Sequence, residues 1–161
     1  MPGGDVIHLV GELNPYGEDP RFALYDEPIG ASGHRLREYI LGIPRRVYLA
    51  DSLFTRQNLC VGHWHRETAR ARMEILIDSL TSGDLVVTLG RRVAQARQSQ
   101  YVPTPRPWEV QKVVSRGSLL LALPHPSGLC REWNDPAAAR RARDILRSVA
   151  PHVRWGELNG E

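Results

Sequence analysis

The sequence predicts an α/β fold, a three-layer α/β/α arrangement around a central, mostly parallel sheet of four or five strands. Three observations carry that expectation. Short apolar runs at Val6 to Val10, Leu85 to Leu89 and Leu119 to Leu123 have the composition of strands buried on both faces. Between them lie segments whose apolar residues recur at helical spacing. The two kinds alternate along the chain without an internal repeat, as crossover connections between parallel strands require.

Val6-Ile7-His8-Leu9-Val10 reads as the first buried strand, and Gly11 opens a turn-rich stretch reaching Pro20. After an irregular stretch with Pro28, Gly30 and Gly33, the spacing of Leu36, Tyr39 and Ile40 indicates a helix closed by Gly42. Pro44 suits the first position of a second helix, where its missing N–H would have no partner anyway, and Val47, Tyr48 and Leu49 follow. Thr55 to Cys60 reads as a short strand. From Glu67 onward, Ala69, Met73, Leu76, Ile77 and Leu80 form one apolar stripe opposite arginines and acids, the signature of a surface helix. Ser82-Gly83-Asp84 breaks it before the strand at Leu85, and Gly90 leads into a short helix over Arg91 to Arg97. Tyr101 to Pro107 holds three prolines and reads as a loop or extended crossing, with a strand expected over Val110 to Val114. After the strand at Leu119 to Leu123, Asp135-Pro136 caps a last helix with Ala138, Ala142, Ile145, Leu146 and Val149 on one face.

The 161 residues suit one compact domain, spanning 1–161, and a monomer. No stretch approaches the roughly 20 consecutive apolar residues of a membrane span, and Met1-Pro2-Gly3-Gly4-Asp5 lacks the features of a signal peptide. An intracellular, cytoplasmic protein with no membrane partner is expected, associated with the nucleoid if bacterial. Cys60 and Cys130 are too few for a disulfide framework or a four-thiolate site, and are expected as free thiols. Cys60, His63 and His65 match no familiar zinc spacing and lack a clear fourth ligand, so no metal or other cofactor is expected. The formal charge of +3 permits a polyanionic partner. Lys112 is the sole lysine, and guanidinium forks suit phosphates and base edges, although arginine-rich codon usage gives the same composition.

Two loops concentrate the chemistry. The last strand stops at Pro124-His125-Pro126-Ser127-Gly128-Leu129, where Pro-x-Pro cannot prolong it, so His125 and Ser127 sit on a stiff loop at a strand end. The other loop is Gly11-Glu12-Leu13-Asn14-Pro15-Tyr16-Gly17, and in a parallel sheet both would emerge at the same edge. An amide or carboxylate on one, facing an imidazole on the other, suits aiming a water at an electrophilic carbon while stabilising a departing anion. Taken alone, Asn-Pro-Tyr-Gly is equally a tight turn, and His125 a hydrogen-bonded loop residue.

Together the loops resemble the uracil-DNA glycosylase superfamily, whose members carry Gly-x-(Asp/Asn)-Pro after the first strand and (His/Asn)-Pro-Ser-(Pro/Gly)-Leu after the last. Gly30-Ala31-Ser32-Gly33-His34-Arg35-Leu36 is similar to a glycine-bearing segment before the first long helix in some branches, and the resemblance spans about Val6 to Ser148. It implies a uracil-DNA glycosylase-like fold and a role for each matching residue. Asn14 would orient the attacking water, with Glu12 in reserve, because alignment on Gly11 instead matches Glu12 to the glutamate of the iron-sulfur branch. Pro15 would fix the loop, Tyr16 would line the pocket near the ring edge, and Asn58 would read the base. His125 would stabilise the anion on the leaving base, Ser127 and Gly128 would touch the DNA backbone, and Leu129 would wedge into the vacated stack. Arg116, Arg131, Arg91 and Arg92, near predicted strand ends, could hold phosphates. The iron-sulfur branch uses four cysteines, so no cluster is expected here.

The resulting expectation is a monofunctional hydrolase acting on DNA, single- or double-stranded. It would cleave the N-glycosidic bond of uracil or another modified or deaminated base and leave an abasic site. With Lys112 the sole lysine, nothing places a Schiff-base nucleophile near the two loops. The alternatives are a hydrolase for a free nucleotide or a bulky base of foreign DNA, and a noncatalytic DNA-binding module. Trp64 reads as a packing residue that could also stack on an unpaired base.

Overall fold

The computed structural model describes residues 5–14, 17–97, 102–113 and 117–160. Five strands, β1 (Ile7–Asn14), β2 (Phe54–Val61), β3 (Leu85–Leu89), β4 (Val110–Lys112) and β5 (Leu119–Leu123), form one sheet in the order β2-β1-β3-β5-β4. Four run parallel, and the short edge strand β4 pairs antiparallel with β5. The expected α/β sheet is therefore present with five strands. The chain passes from β1 to β2 on one side and then crosses from β2 over β1 to β3 on the other, a reversal that opens a crevice at the carboxyl ends of these strands.

The helices are α1 (Ser32–Arg35), continued by a π-helical stretch Leu36–Leu41, then α2 (Arg45–Tyr48), α3 (Arg66–Ser79), α4 (Arg91–Ala96), α5 (Pro136–Val149) and α6 (Trp155–Leu158). Alternate strand residues feed opposite faces of the sheet, as the period of two dictates. Ile7, Leu9, Leu85, Val87, Leu121 and Leu123 join one core, which the π-helical stretch, α2, α5 and α6 complete with Ile40, Tyr48, Leu146 and Trp155. Val10, Val86 and Leu120 join a second core under α3 and α4, with Met73, Ile77 and Val93. These two cores make the central sheet the middle of three layers.

Two local expectations are corrected, and a third is met in part. The first strand does not end at Val10: it runs on to Asn14, because β2 continues to pair with it through Gly11↔Asn58, Leu13↔Cys60 and Asn14↔Val61. Turn-forming residues gave way to a neighbouring ladder. Pro44 caps α2 from an extended conformation rather than occupying its first turn. The edge strand covers Val110–Lys112, and Val114 lies outside the described residues.

At the amino end of the sheet, Asp84 joins three segments. Its carboxylate accepts from the Val6 N–H (3.1 Å), from the Thr81 N–H (3.1 Å) and hydroxyl (3.2 Å), and lies 3.3 Å from His8 Nε2. Burial alone would push this carboxyl up, but the Val6 and Thr81 N–H groups and His8 outweigh it and hold the pKa below the ordinary value. A lowered folded-state pKa means that the stabilisation is present above the unfolded value and lost as pH falls through the folded one. Asp84→Ala should lower stability in urea by about 1–3 kcal/mol at pH 7, the usual cost of stranding buried donors. The gap to wild type should shrink below about pH 4; an equal gap at pH 7 and pH 3 would count against this role.

Candidate active site

The site is built where β1, β2 and β5 end. A cavity of about 310 Å³ there is lined by Glu12 of β1, Asn58 of β2 and His125 just beyond β5, and is closed on its remaining side by the segment from Leu24 to Gly33. Gly11 and Asn58 are register partners, and a Cβ on Gly11 would overlap Asn58 Oδ1 and come within 2.6 Å of Leu24 Cδ2. Only glycine there leaves space for the amide. Both side-chain polar atoms of Asn58 are buried, and among the described residues neither has a hydrogen-bond partner. Burying an amide unpaired is costly, so an orphan in a cavity wall marks a place where a ligand supplies the partner.

The Leu24–Gly33 wall is held rigidly. Gly33 allows α1 to approach so closely that a Cβ would overlap the carbonyl oxygens of Leu24 and Tyr25. From the other side, the Tyr48 hydroxyl donates to Leu24 O (2.6 Å) and Arg56 donates to Ala23 O (2.9 Å). Burial pushes the Tyr48 hydroxyl pKa up, so it stays a proton donor. Asp26, 2% exposed, accepts from both Arg37 (2.9 Å) and Arg45 (3.0 Å). These contacts fix Leu24 and Tyr25 against the cavity, and the polar ones use Tyr48, Arg56, Asp26, Arg37 and Arg45, which are not among its lining residues.

The loop after β5 is braced along its backbone. The Trp133 indole donates to Pro124 O (3.2 Å) and His125 O (3.0 Å), and Arg35 donates to Pro126 O (3.0 Å). Ser127 Oγ accepts from the Leu129 N–H (3.1 Å), which turns the chain and leaves Leu129 94% exposed at the tip. Gly128 sits near Arg35, and the exposed Arg131 opens the 3-10 turn Arg131–Asn134 that follows.

His125 Nδ1 accepts the Ser127 N–H at 3.0 Å, so the neutral ring carries its proton on Nε2. That nitrogen lies 3.9 Å from Glu12 Oε2, and Glu12 Oε1 lies 3.3 Å from an Arg92 guanidinium nitrogen. Burial lowers the His125 pKa from its ordinary value, and the Glu12 charge pulls it partly back. At neutral pH the ring is therefore an uncharged donor facing the cavity.

Of the residues singled out from sequence, the structure gathers Glu12, Asn58 and His125 into one cavity, with Ser127, Gly128 and Leu129 on the adjoining loop. Asn14 is not among them. It is 6% exposed and donates to Asp19 O at 3.1 Å, closing the turn after β1 rather than facing the cavity. Pro15, Tyr16 and Arg116 lie outside the described residues. Leu24, Tyr25 and the loop braces Arg35 and Trp133 were not singled out from sequence. The glycine-bearing segment Gly30–Gly33 was the one signal near them, since it marks where a helix must approach its neighbour closely.

Cys60 Sγ is engaged with the backbone of His65, accepting from its N–H at 3.3 Å, and His65 Nδ1 caps α3 by accepting from Thr68 N. Among the described residues, no three His, Cys, Asp or Glu side chains are grouped so as to hold a metal ion. In that same set, no helix is long and apolar enough to cross a membrane.

A sequence model of the uracil DNA glycosylase superfamily matches residues 16–147, most of the chain. The chain belongs to this superfamily. The match takes in Asn58, the Leu24–Gly33 wall and the His125–Leu129 loop, while Glu12 and Asn14 precede it. Members of this superfamily are hydrolytic glycosylases that act on DNA. No curated protein matches the sequence.

In this superfamily member the His125 ring should titrate below the free-imidazole value of about 6.5. Glu12→Gln should lower it further, since the carboxylate is the group that raises it. An imidazole chemical-shift titration reads both, and a rise on Glu12→Gln would refute the arrangement.

Proposed function

We propose that the protein is a monofunctional DNA glycosylase that hydrolyses the N-glycosidic bond of a deaminated base and leaves an abasic site. The observation that carries this reading is the unpartnered Asn58 amide in the cavity shared with Glu12 and His125. An amide offers one donor and one acceptor side by side. Deamination turns an amino group into a carbonyl next to a ring N–H, so uracil, hypoxanthine and xanthine all present the complementary acceptor-donor edge. Cytosine and adenine present the reverse edge and would leave the amide mismatched, a large penalty in a buried site.

The reaction follows from the other two groups. A base must leave the stack to reach the cavity, at a cost of a few kcal/mol, and the exposed Leu129 on its braced loop suits the wedge that offsets it. As the C1′–N bond breaks, its electron pair goes to the base, and negative charge accumulates on the carbonyl oxygens. The His125 Nε2–H, neutral and held by Ser127, is a fixed donor for that charge. Glu12 is the carboxylate beside the cavity, and it takes the proton of the water that adds to C1′. This assigns the water to Glu12 rather than Asn14, because the Asn14 amide is occupied by Asp19 O. The lowered His125 pKa supports the donor role, since a neutral ring gives up no proton yet gains hydrogen-bond strength as charge develops.

The test is a panel of labelled single- and double-stranded oligonucleotides carrying uracil, hypoxanthine, xanthine or a 5-substituted pyrimidine, with alkali cleavage reporting abasic sites. Single-turnover excision of at least one deaminated base is expected. His125→Ala should slow it about 100- to 1,000-fold, Glu12→Ala about 100-fold or more, and Asn14→Ala far less than either. If every strand stays intact, or if Asn14→Ala is the most damaging of the three, the assignment is wrong.

A further inference from the structure

Arg92, whose guanidinium meets Glu12, also lines a groove of about 450 Å³ together with Trp64, Arg66, Arg70, Gln95 and Ala96. We propose that it holds an unpaired nucleotide of the DNA strand next to the excised base, with phosphates on the arginines and the neighbouring base stacked on Trp64. The inference rests on the glycosylase reading only in taking DNA as the partner.

Three features point to this occupant. Among the described residues the lining holds three guanidinium groups, and Arg66 and Arg70 stand one turn apart on the exposed side of α3. Two cations at that spacing track a phosphodiester chain rather than a single small anion. Trp64 is half-buried: it packs against the core under α3 and also lines the groove, so the ring is held in place at no further entropic cost on binding. Sequence-tolerant stacking of an unpaired base on an immobilised aromatic beside a basic track is the usual solution for single strands. Gln95 adds an amide donor and acceptor at the groove wall.

The third feature is continuity. The β2-to-α3 and β3-to-α4 connections both leave the carboxyl edge of the sheet, the edge at which the cavity opens. Arg92 lines the groove while its guanidinium lies 3.3 Å from Glu12 Oε1, so one side chain forms part of the groove and touches the cavity. A strand that enters the cavity with one base can lay its next nucleotide in the groove without leaving the sheet edge. A duplex cannot use Trp64, because its bases already stack on one another. The groove therefore favours single-stranded or locally melted DNA.

The experiment measures binding, by fluorescence anisotropy, of an undamaged single-stranded thymidine oligonucleotide of about twelve residues and of the matching duplex, to wild type and variants whose fold is verified by circular dichroism. Wild type should bind the single strand more tightly than the duplex. Arg66→Gln/Arg70→Gln should flatten the dependence of log affinity on log salt by about 1.4, or about 0.7 per lost phosphate contact. Trp64→Leu should weaken single-strand binding about tenfold, whereas Trp64→Phe, which keeps a stacking face, should retain most of it. Equal single-strand and duplex affinity, an unchanged salt slope in the double variant, or equal losses for Trp64→Leu and Trp64→Phe would each overturn the proposal. The probe contains no deaminated base, so the two readings fail separately: intact uracil strands with normal groove binding would refute the glycosylase and leave the groove standing.

Discussion

Parallel pairing of β1 and β5 to the two sides of β3 is the constraint on which the site depends. Ile7 to Val10 register with Leu85 to Thr88, and Leu85 to Leu89 register with Leu119 to Leu123, so the ends of β1 and β5 are set at one height. His125 and Glu12 are far apart in sequence, yet this ladder sets their functional atoms within 3.9 Å. Register is itself enforced by the cores. A slip of one residue would turn Ile7, Leu9, Val87 and Leu121 away from the face they fill and expose each apolar set to the wrong layer.

Around that frame, the cavity is made by absences as much as by side chains. Gly11 leaves the space in which the Asn58 amide sits, and Gly33 lets α1 press on the carbonyls of Leu24 and Tyr25. The polar groups that support the wall, Tyr48, Arg56 and the Asp26 pair with Arg37 and Arg45, work from behind it. The result is a preorganised cleft in which the buried Asn58 amide has no hydrogen-bond partner among the described residues, and preorganisation is what gives a fixed donor its value against developing charge.

The Glu12 side chain links the two halves of the site. One oxygen faces His125 and the other Arg92, and Arg92 lies in turn on the groove beside Trp64. The residues proposed for base recognition, charge stabilisation and strand contact thus lie along a single sheet edge. Leu129 stands apart from these groups on the outermost turn of the β5 loop, where a side chain has no packing role within the chain.

How much of this was legible in the sequence depended on whether the deciding interactions were local. Alternating apolar runs and stripes determined the α/β class, a sheet of four or five strands and the position of His125 on a stiff loop, because burial period and proline stereochemistry act over a few residues. The paired loop motifs likewise carried the family. The sequence left the choice between Asn14 and Glu12 open, and the resemblance of Asn14-Pro15 to the family's first loop leaned toward Asn14. Only the tertiary structure decided where each points, since the β2 ladder carries β1 past its turn-forming residues and Asp19 O occupies the Asn14 amide. Tyr25, Arg35 and Trp133 were not singled out in the sequence, and Trp64 read there as a packing residue that could also stack on an unpaired base: the groove that joins it to Arg66, Arg70 and Arg92 exists only between segments distant in the chain, which no local pattern encodes.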